Sequence, residues 1–198
     1  MSENRSASRN GFTGKRVILV NGIPASGKSR LAVELSEYSG WLQLSLDGIK
    51  NPFLQRLQNV DRPFNRVLGL ASYQVIWDII GGAPQGSTFI ADAWFGFQPK
   101  EVLQDYLQRA GVMQVLEIWC QIDAELAAER FASRLGERLP GHVGAEYIPE
   151  LKILAGNARP MTLGPVYCVD QNVIGQNKPV NIVGIHEWIM NSFNTQIQ

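Results

Sequence analysis

The sequence has little cysteine, little histidine and no surplus of charge. Its 198 residues include two cysteines and two histidines, and 18 Lys and Arg residues balance 18 Asp and Glu residues. Two cysteines are too few for a disulfide scaffold, and Cys120 and Cys168 each lie in a strand-like apolar run, where a free, buried thiol is expected. A net charge of zero gives no general attraction for nucleic acid, so we expect no nucleic-acid partner.

Long apolar runs are also missing. No segment approaches the roughly 20 apolar residues of a membrane-spanning helix, and no signal-peptide core is present. We therefore expect a cytoplasmic protein with no membrane partner. Residues 1–15 are rich in Ser, Asn and Arg without periodicity, which predicts a mobile N-terminal tail, and residues 16–198 suit a single domain. The sequence carries no signal for an oligomeric state.

The most informative segment joins an apolar strand to a helix. Residues 16–21 are largely β-branched and apolar, as in a parallel strand that is buried on both faces. The pattern G-x-x-x-x-G-K-[ST] follows at once, and apolar residues at helical spacing come after it. This is a Walker A motif, or P-loop, in which backbone N–H groups and a helix N-terminus surround phosphate oxygens. We predict that the nucleotide-binding residues are Gly22, Ile23, Pro24, Ala25, Ser26, Gly27, Lys28, Ser29 and Arg30.

Specific roles follow for two P-loop side chains and for two later aspartates. Lys28 is predicted to pair with the β- and γ-phosphates, and Ser29 to coordinate Mg²⁺. Asp47 and Asp92 each come at the end of a predicted strand, where side chains of an open α/β sheet face the ligand crevice. Asp47 is a candidate base and Asp92 a candidate Walker B carboxylate near Mg²⁺. The alternative for both is a helix cap or a turn.

Three further segments have features that bear on function. Residues 64–80 form an amphipathic pattern whose core face is predicted to contain Phe64, Val67, Leu68, Ala71, Val75 and Ile79. The loop after Asp92 contains Trp94, Phe95 and Phe97, which suggests a substrate pocket or, alternatively, a plug over the sheet edge. Arg130, Arg134 and Arg138 follow one helix towards His142, either as a cover over the nucleotide or as partners in surface salt bridges.

Strand and helix alternate five times, which predicts a parallel sheet with helices on both faces. With the P-loop, Leu44-Ser45-Leu46-Asp47, Phe89-Ile90-Ala91-Asp92 and the arginine segment, the chain resembles the small P-loop kinases. Within them it is similar to the branch containing chloramphenicol phosphotransferase, the zeta-toxin kinases and the 5′-hydroxyl polynucleotide kinases. The resemblance implies a three-layer α/β/α fold with a five-stranded sheet in the order 2-3-1-4-5. It also implies ATP and Mg²⁺ as cofactors, Asp47 as the base, and an arginine-bearing lid near residues 130–145.

The function expected from these features is transfer of the γ-phosphoryl group of ATP to a hydroxyl of a small molecule, such as an antibiotic, a sugar or a nucleotide sugar. Asp47, Lys28, Arg130 and Arg134 would be catalytic, and Ser29 and Asp92 would hold the metal. One alternative is a nucleotide-dependent switch, but residues 177–180 lack the final Asp of a guanine-specificity motif, and the D-x-x-G of residues 78–81 falls in a predicted helix. A toxin-like kinase is a further alternative with the same mechanism.

Overall fold

The computed structural model describes residues 14–173 and 179–195. Most of the predicted tail, residues 1–13, lies outside this part of the chain, and Lys15 already belongs to the first strand. The strands are β1 (Lys15–Asn21), β2 (Leu42–Ser45), β3 (Thr88–Ala93), β4 (Val112–Gln121) and β5 (Val166–Asp170). The helices are α1 (Lys28–Ser39), α2 (Leu46–Leu54), α3 (Arg62–Gly82), α4 (Lys100–Arg109), α5 (Ala124–Ser133), α6 (Ile148–Asn157) and α7 (Ile182–Thr195).

The strands form one parallel sheet in the order β2-β3-β1-β4-β5, which confirms the predicted fold class. β1 occupies the centre, and its apolar run is fully buried from Val17 to Val20, as expected for a strand covered on both faces. Side chains of α3 and α4 pack on one face of the sheet, and those of α1 and α7 pack on the other. The carboxyl end of β1 therefore opens at the middle of one sheet edge, between β3 and β4.

The long helix α3 buries a different face from the predicted one. Phe64, Val67, Val75 and Ile79 are exposed, and the buried residues are Ser72, Tyr73, Ile76, Trp77 and Ile80. The helix carries apolar residues around most of its circumference, so periodicity alone did not identify the inner face. Its bulkiest aromatic rings occupy the core, where Tyr73 lies edge-on to Trp77 with ring centroids 5.7 Å apart.

The segment after β2 also differs from the prediction. Helix α2 begins at Leu46, so Asp47 lies in its first turn and not at a strand end. Ser45 is the N-cap, because its Oγ accepts a hydrogen bond from the Gly48 N–H at 3.3 Å, and the alternative that Asp47 caps this helix is therefore wrong. The helix includes Pro52, which removes one backbone N–H from the hydrogen bonding of the helix.

Both cysteines are free, but only one of them is buried. Cys120 lies inside the sheet, whereas Cys168 is exposed on the edge strand β5, contrary to expectation. Among residues 14–173 and 179–195, no helix is both long enough and apolar enough to cross a membrane.

The difference between the two faces of α3 gives a stability prediction. Trp77→Ala removes a ring that is 2% exposed and should lower the free energy of unfolding by about 3–5 kcal/mol, because it leaves a cavity in the core. Val67→Ala, on the same helix and 57% exposed, should change it by less than about 1 kcal/mol. Urea unfolding followed by circular dichroism measures both. Equal losses would contradict the burial of Trp77 and the exposure of Val67.

Candidate active site

The P-loop connects the central strand to α1 through a tight backbone turn. Gly27 is the residue before the helix and has φ +80°, and Ala25 is also in the left-handed region with φ +68°. The left-handed conformation suits Gly27 and is strained for Ala25, which is a recurrent feature of ligand-binding loops. Lys28 and Ser29 form the first turn of α1, as predicted, so that both side chains start at the helix N-terminus.

The first glycine of the motif is required by space. A Cβ on Gly22 would lie 2.4 Å from the Ser26 Oγ and 3.1 Å from the carbonyl oxygen of Cys120. The Ser26 hydroxyl is itself buried and has no hydrogen-bond partner. The loop therefore closes tightly over β4, with an unsatisfied polar group inside it.

Asp92 lies one residue before the end of β3 and is 2% exposed. Neither carboxylate oxygen accepts a hydrogen bond of ordinary geometry. Burial raises the pKa of Asp92, although the positive charge of Lys28 and the nearby hydroxyls of Ser29 and Ser45 oppose this rise. A buried carboxylate with unused oxygens beside a P-loop serine fits a Mg²⁺ site.

The protein supplies only part of such a site. No group of three or more His, Cys, Asp or Glu side chains in the described ranges is arranged to hold a metal. Mg²⁺ usually keeps several waters and binds through one or two protein groups together with substrate phosphates, so Ser29 and Asp92 are sufficient as protein ligands.

Asp47 lies in a different environment from Asp92. Its side chain is 57% exposed, and its Oδ1 is 3.2 Å from the Nζ of Lys50, which is itself buried. Desolvation raises the pKa of Asp47, but the charges of Lys50 and Lys28 outweigh this effect and hold the pKa below its ordinary value. The carboxylate is therefore ionised at neutral pH and accessible from the solvent side.

The segment between α5 and α6 lies over α2 and brings two predicted residues next to Asp47. His142 Nε2 is 2.9 Å from Asn51 Oδ1, and Arg138 Nη2 is 3.4 Å from His142 Nδ1. The guanidinium of Arg138 lies 4.6 Å above the ring of Phe131, and its charge acts on the carboxylate of Asp47. Burial lowers the pKa of Arg138, and burial together with the charge of Lys50 lowers the pKa of His142 to about 4.

The other two arginines of this segment face elsewhere. Arg130 donates from Nη2 to the backbone oxygen of Gln171 at 3.2 Å, and its Nη1 would be 3.7 Å from a Cβ on Gly27. It therefore lies beside the P-loop. Arg134 is exposed, and its Nε donates to the backbone oxygen of Arg130 at 3.2 Å. Arg30, the last residue of the predicted nucleotide site, is paired on the surface with Glu34 at 2.7 Å.

A buried polar network at the end of β1 was not predicted from the sequence. Asn21 Oδ1 accepts hydrogen bonds from the N–H groups of Gly22 at 2.8 Å and Phe95 at 3.1 Å. Its Nδ2 donates to Glu117 Oε1 at 2.7 Å, and Glu117 also accepts from the backbone N–H groups of Met161 and Thr162. The available signal was one polar residue in each of two apolar strands, at the carboxyl end of β1 and in the middle of β4.

The aromatic loop after β3 mainly fills the core. Phe95 is fully buried, and Phe97 packs edge-on against Tyr73 with centroids 5.1 Å apart, so these two rings form the plug that was the alternative prediction. Trp94 packs on Trp119 and lines a cavity of about 400 Å³ together with residues 157–162. Neither the P-loop nor Asp47 lines this cavity. Residues 78–81 lie inside α3 and not in a switch loop, and residues 177 and 178 lie outside the described residues.

The fold is similar to that of P-loop kinases of known structure. The chain is similar to the crystal structure of a "putative kinase" from Chloroflexus aurantiacus, with 25% identity, a TM-score of 0.75, and coverage of 91% of this chain and 98% of that one. It shares its fold with shikimate kinase from Acinetobacter baumannii in complex with shikimate, at 14% identity and a TM-score of 0.54 over 94% and 96% of the two chains. It also shares it with a gluconokinase from Sinorhizobium meliloti, at 16% identity and a TM-score of 0.53 over 93% and 98%.

These similarities define the class to which the fold corresponds. The fold is that of P-loop kinases, and two of these neighbours, the shikimate kinase and the gluconokinase, are named for different acceptors. No protein-family model matches the sequence, and no curated protein matches it either.

The environment of His142 predicts a pH-dependent stability. Its folded pKa of about 4 lies below the ordinary value of 6.5, so the unfolded chain binds a proton in this window that the folded chain does not. Stability should therefore fall as the pH decreases from about 7 to about 5, and His142→Gln should reduce this fall. Thermal unfolding at both pH values measures it. The chain has two histidines, so ¹H NMR titration of the wild type and the variant assigns the pKa directly. A pKa near 6.5 for His142 would contradict its burial against α2.

The network around Asn21 predicts a large loss on truncation. Asn21→Ala leaves the buried N–H groups of Gly22 and Phe95 without an acceptor and should lower the free energy of unfolding by about 2–5 kcal/mol. Asn191→Ala, at an exposed position on α7, serves as the control and should change it by less than about 0.5 kcal/mol. Denaturant titration of the two variants compares them, and similar values for both would show that the network contributes little.

Proposed function

We propose that this protein is an ATP-dependent kinase that transfers the γ-phosphoryl group to a hydroxyl of a small molecule. The main support is that Lys28, in the first turn of the helix that follows the P-loop, acts electrostatically on two unlike carboxylates. Its charge acts both on the buried Asp92 and on the solvent-open Asp47. A phosphoryl-transfer site needs this division, with one carboxylate for the metal and another for the acceptor hydroxyl.

The phosphate side of the site consists of the P-loop and the residues next to it. The loop backbone and Lys28 bind the phosphates, and Arg130 lies beside Gly27, where its charge offsets that of the transferred group. Ser29 and Asp92 hold Mg²⁺, which when bound neutralises charge on the phosphate oxygens. Arg134 is exposed in this structure and would have to move to contribute.

The acceptor side is built around Asp47. Its lowered pKa keeps it ionised, so it accepts a hydrogen bond from the acceptor hydroxyl and orients that oxygen towards the P-loop. A carboxylate with a low pKa is a weak base, and its main contribution is therefore orientation, with the proton passing to it as the phosphorus–oxygen bond forms. The acceptor class includes antibiotics, sugars and nucleotide sugars.

The proposal predicts separate effects for the two sides of the site. Asp47→Asn should leave ADP affinity unchanged within about twofold and lower turnover by about 100-fold or more, because orientation of the hydroxyl is lost. Lys28→Ala should lower both. The measurement is ADP release from Mg·ATP with pooled acceptors, which include aminoglycosides, phenicols, sugars, sugar acids, nucleosides and nucleotide sugars.

Two surface variants serve as controls for that assay. Asp105→Asn and Lys152→Ala each remove a charge from an exposed ion pair and should keep wild-type turnover. Unchanged turnover in Asp47→Asn would remove Asp47 from the mechanism. ADP binding without turnover on any pool would favour a nucleotide-dependent switch.

A further inference from the structure

Helix α2 presents one face to residues 134–147, which connect α5 to α6 and are called the lid segment below. Asp47, Lys50, Asn51 and Leu54 follow helical spacing, so they lie on the same side. Asn51 contacts His142, and Leu54 lies so close to the lid that a Cβ on Gly141 would be 3.2 Å from its Cδ2. We call the solvent-open region at Asp47, beside this face of α2 and the lid segment, the acceptor space.

The burial of Lys50 on this face is unusual. Its side chain is 9% exposed, whereas that of its partner Asp47 is 57% exposed. Lysine is almost never buried to this degree unless its charge is compensated. A surface ion pair would leave both groups in solvent, but here the ammonium lies inside and the carboxylate lies at the open side.

A second cation shares the same carboxylate. Asp47 is the only carboxylate among the described groups whose charges act on Arg138. The buried Nε of Arg138 has no hydrogen-bond partner, and the guanidinium carbon lies 4.6 Å from the centre of the Phe131 ring. His142 is neutral at physiological pH, so it adds no charge. With Lys28 assigned to the phosphates, two cations and one anion remain, which gives the acceptor space a positive balance in a chain of zero net charge.

We infer that the acceptor carries an anionic group, a carboxylate or a phosphate, close to the hydroxyl that is phosphorylated, and that Lys50 and Arg138 bind this group. The inference rests on the proposed function, because it assumes that Asp47 faces an acceptor. Two oxygens of a carboxylate or of a phosphate match the donor arrangement of a guanidinium. A buried ammonium adds a point charge beside the guanidinium. Lys50 and Arg138 are thus specificity-determining residues.

The test compares acceptors that differ in one charged group. Gluconate is paired with sorbitol, glucuronate with glucose, and a nucleoside monophosphate with its nucleoside. Binding of each compound to the protein with ADP and Mg²⁺ is measured by calorimetry, and ADP release from Mg·ATP is measured in parallel. At least one anionic member should bind about tenfold or more tightly than its neutral partner, and the pair that shows this separates a carboxylate from a phosphate.

Substitutions locate the selectivity. Lys50→Met and Arg138→Met should each weaken binding of the anionic member by about 10- to 100-fold and leave the neutral partner unchanged, whereas a merely structural role would weaken both. Lys50→Arg should retain the selectivity. Arg66→Met, which removes an exposed cation from α3, is the matched control. Asp47→Asn should bind the anion more tightly than the wild type while losing turnover, and this result does not depend on the folding of the lysine variants.

The outcomes separate the inference from the kinase assignment. Equal binding of charged and neutral members, or no binding by any anionic member, overturns the inference. ADP release with neutral acceptors alone also overturns it and leaves the kinase in place. Selective anion binding that is lost in Lys50→Met, without ADP release on any compound, supports the charge recognition and overturns phosphoryl transfer.

Discussion

The side chain of Asn21 joins three segments that converge on the site. Its oxygen accepts from the first P-loop glycine and from Phe95 of the loop after β3, and its nitrogen donates to Glu117 in β4. Asn21 and Glu117 are both fully buried, so water cannot replace these bonds. This amide therefore ties the start of the P-loop to the loop after β3 and to β4. The carboxylate of Glu117 also accepts a hydrogen bond from the backbone N–H of Met161, so the network holds the segment that leads into β5.

The surroundings of Asp47 and Asp92 shift their pKa values in opposite directions. Burial raises the pKa of Asp92, and neither of its oxygens accepts a hydrogen bond of ordinary geometry, so the carboxylate gains from a nearby cation. Asp47 has cations around it and solvent in front of it, and its pKa is lowered. Two carboxylates near the same lysine thus acquire different roles, and the difference arises from what surrounds them and not from their chemistry.

The sequence predicted the parts of this protein that rest on local patterns. The P-loop has a fixed spacing, and the alternation of strands and helices with the family resemblance led to the observed strand order. The prediction of the inner face of α3 was wrong, because both faces of the helix are apolar and only tertiary packing distinguishes them. The pairing of Asn21 with Glu117 spans 96 residues, and Lys50 is buried although it lies on the same helix as the exposed Asp47. Neither feature follows from the spacing of a motif or from hydrophobic periodicity, so the electrostatics around Asp47 emerged only from the three-dimensional structure.

The most direct test of phosphoryl transfer to an acceptor at Asp47 is ³¹P NMR of the reaction with Mg·ATP and an acceptor that binds. We predict a new phosphate-ester resonance that grows in equal amount with ADP. This resonance should be coupled to the proton on the carbon that carries the acceptor oxygen, and it should be absent with Asp47→Asn. Release of inorganic phosphate alone, or an ester that forms equally well in Asp47→Asn, would contradict it.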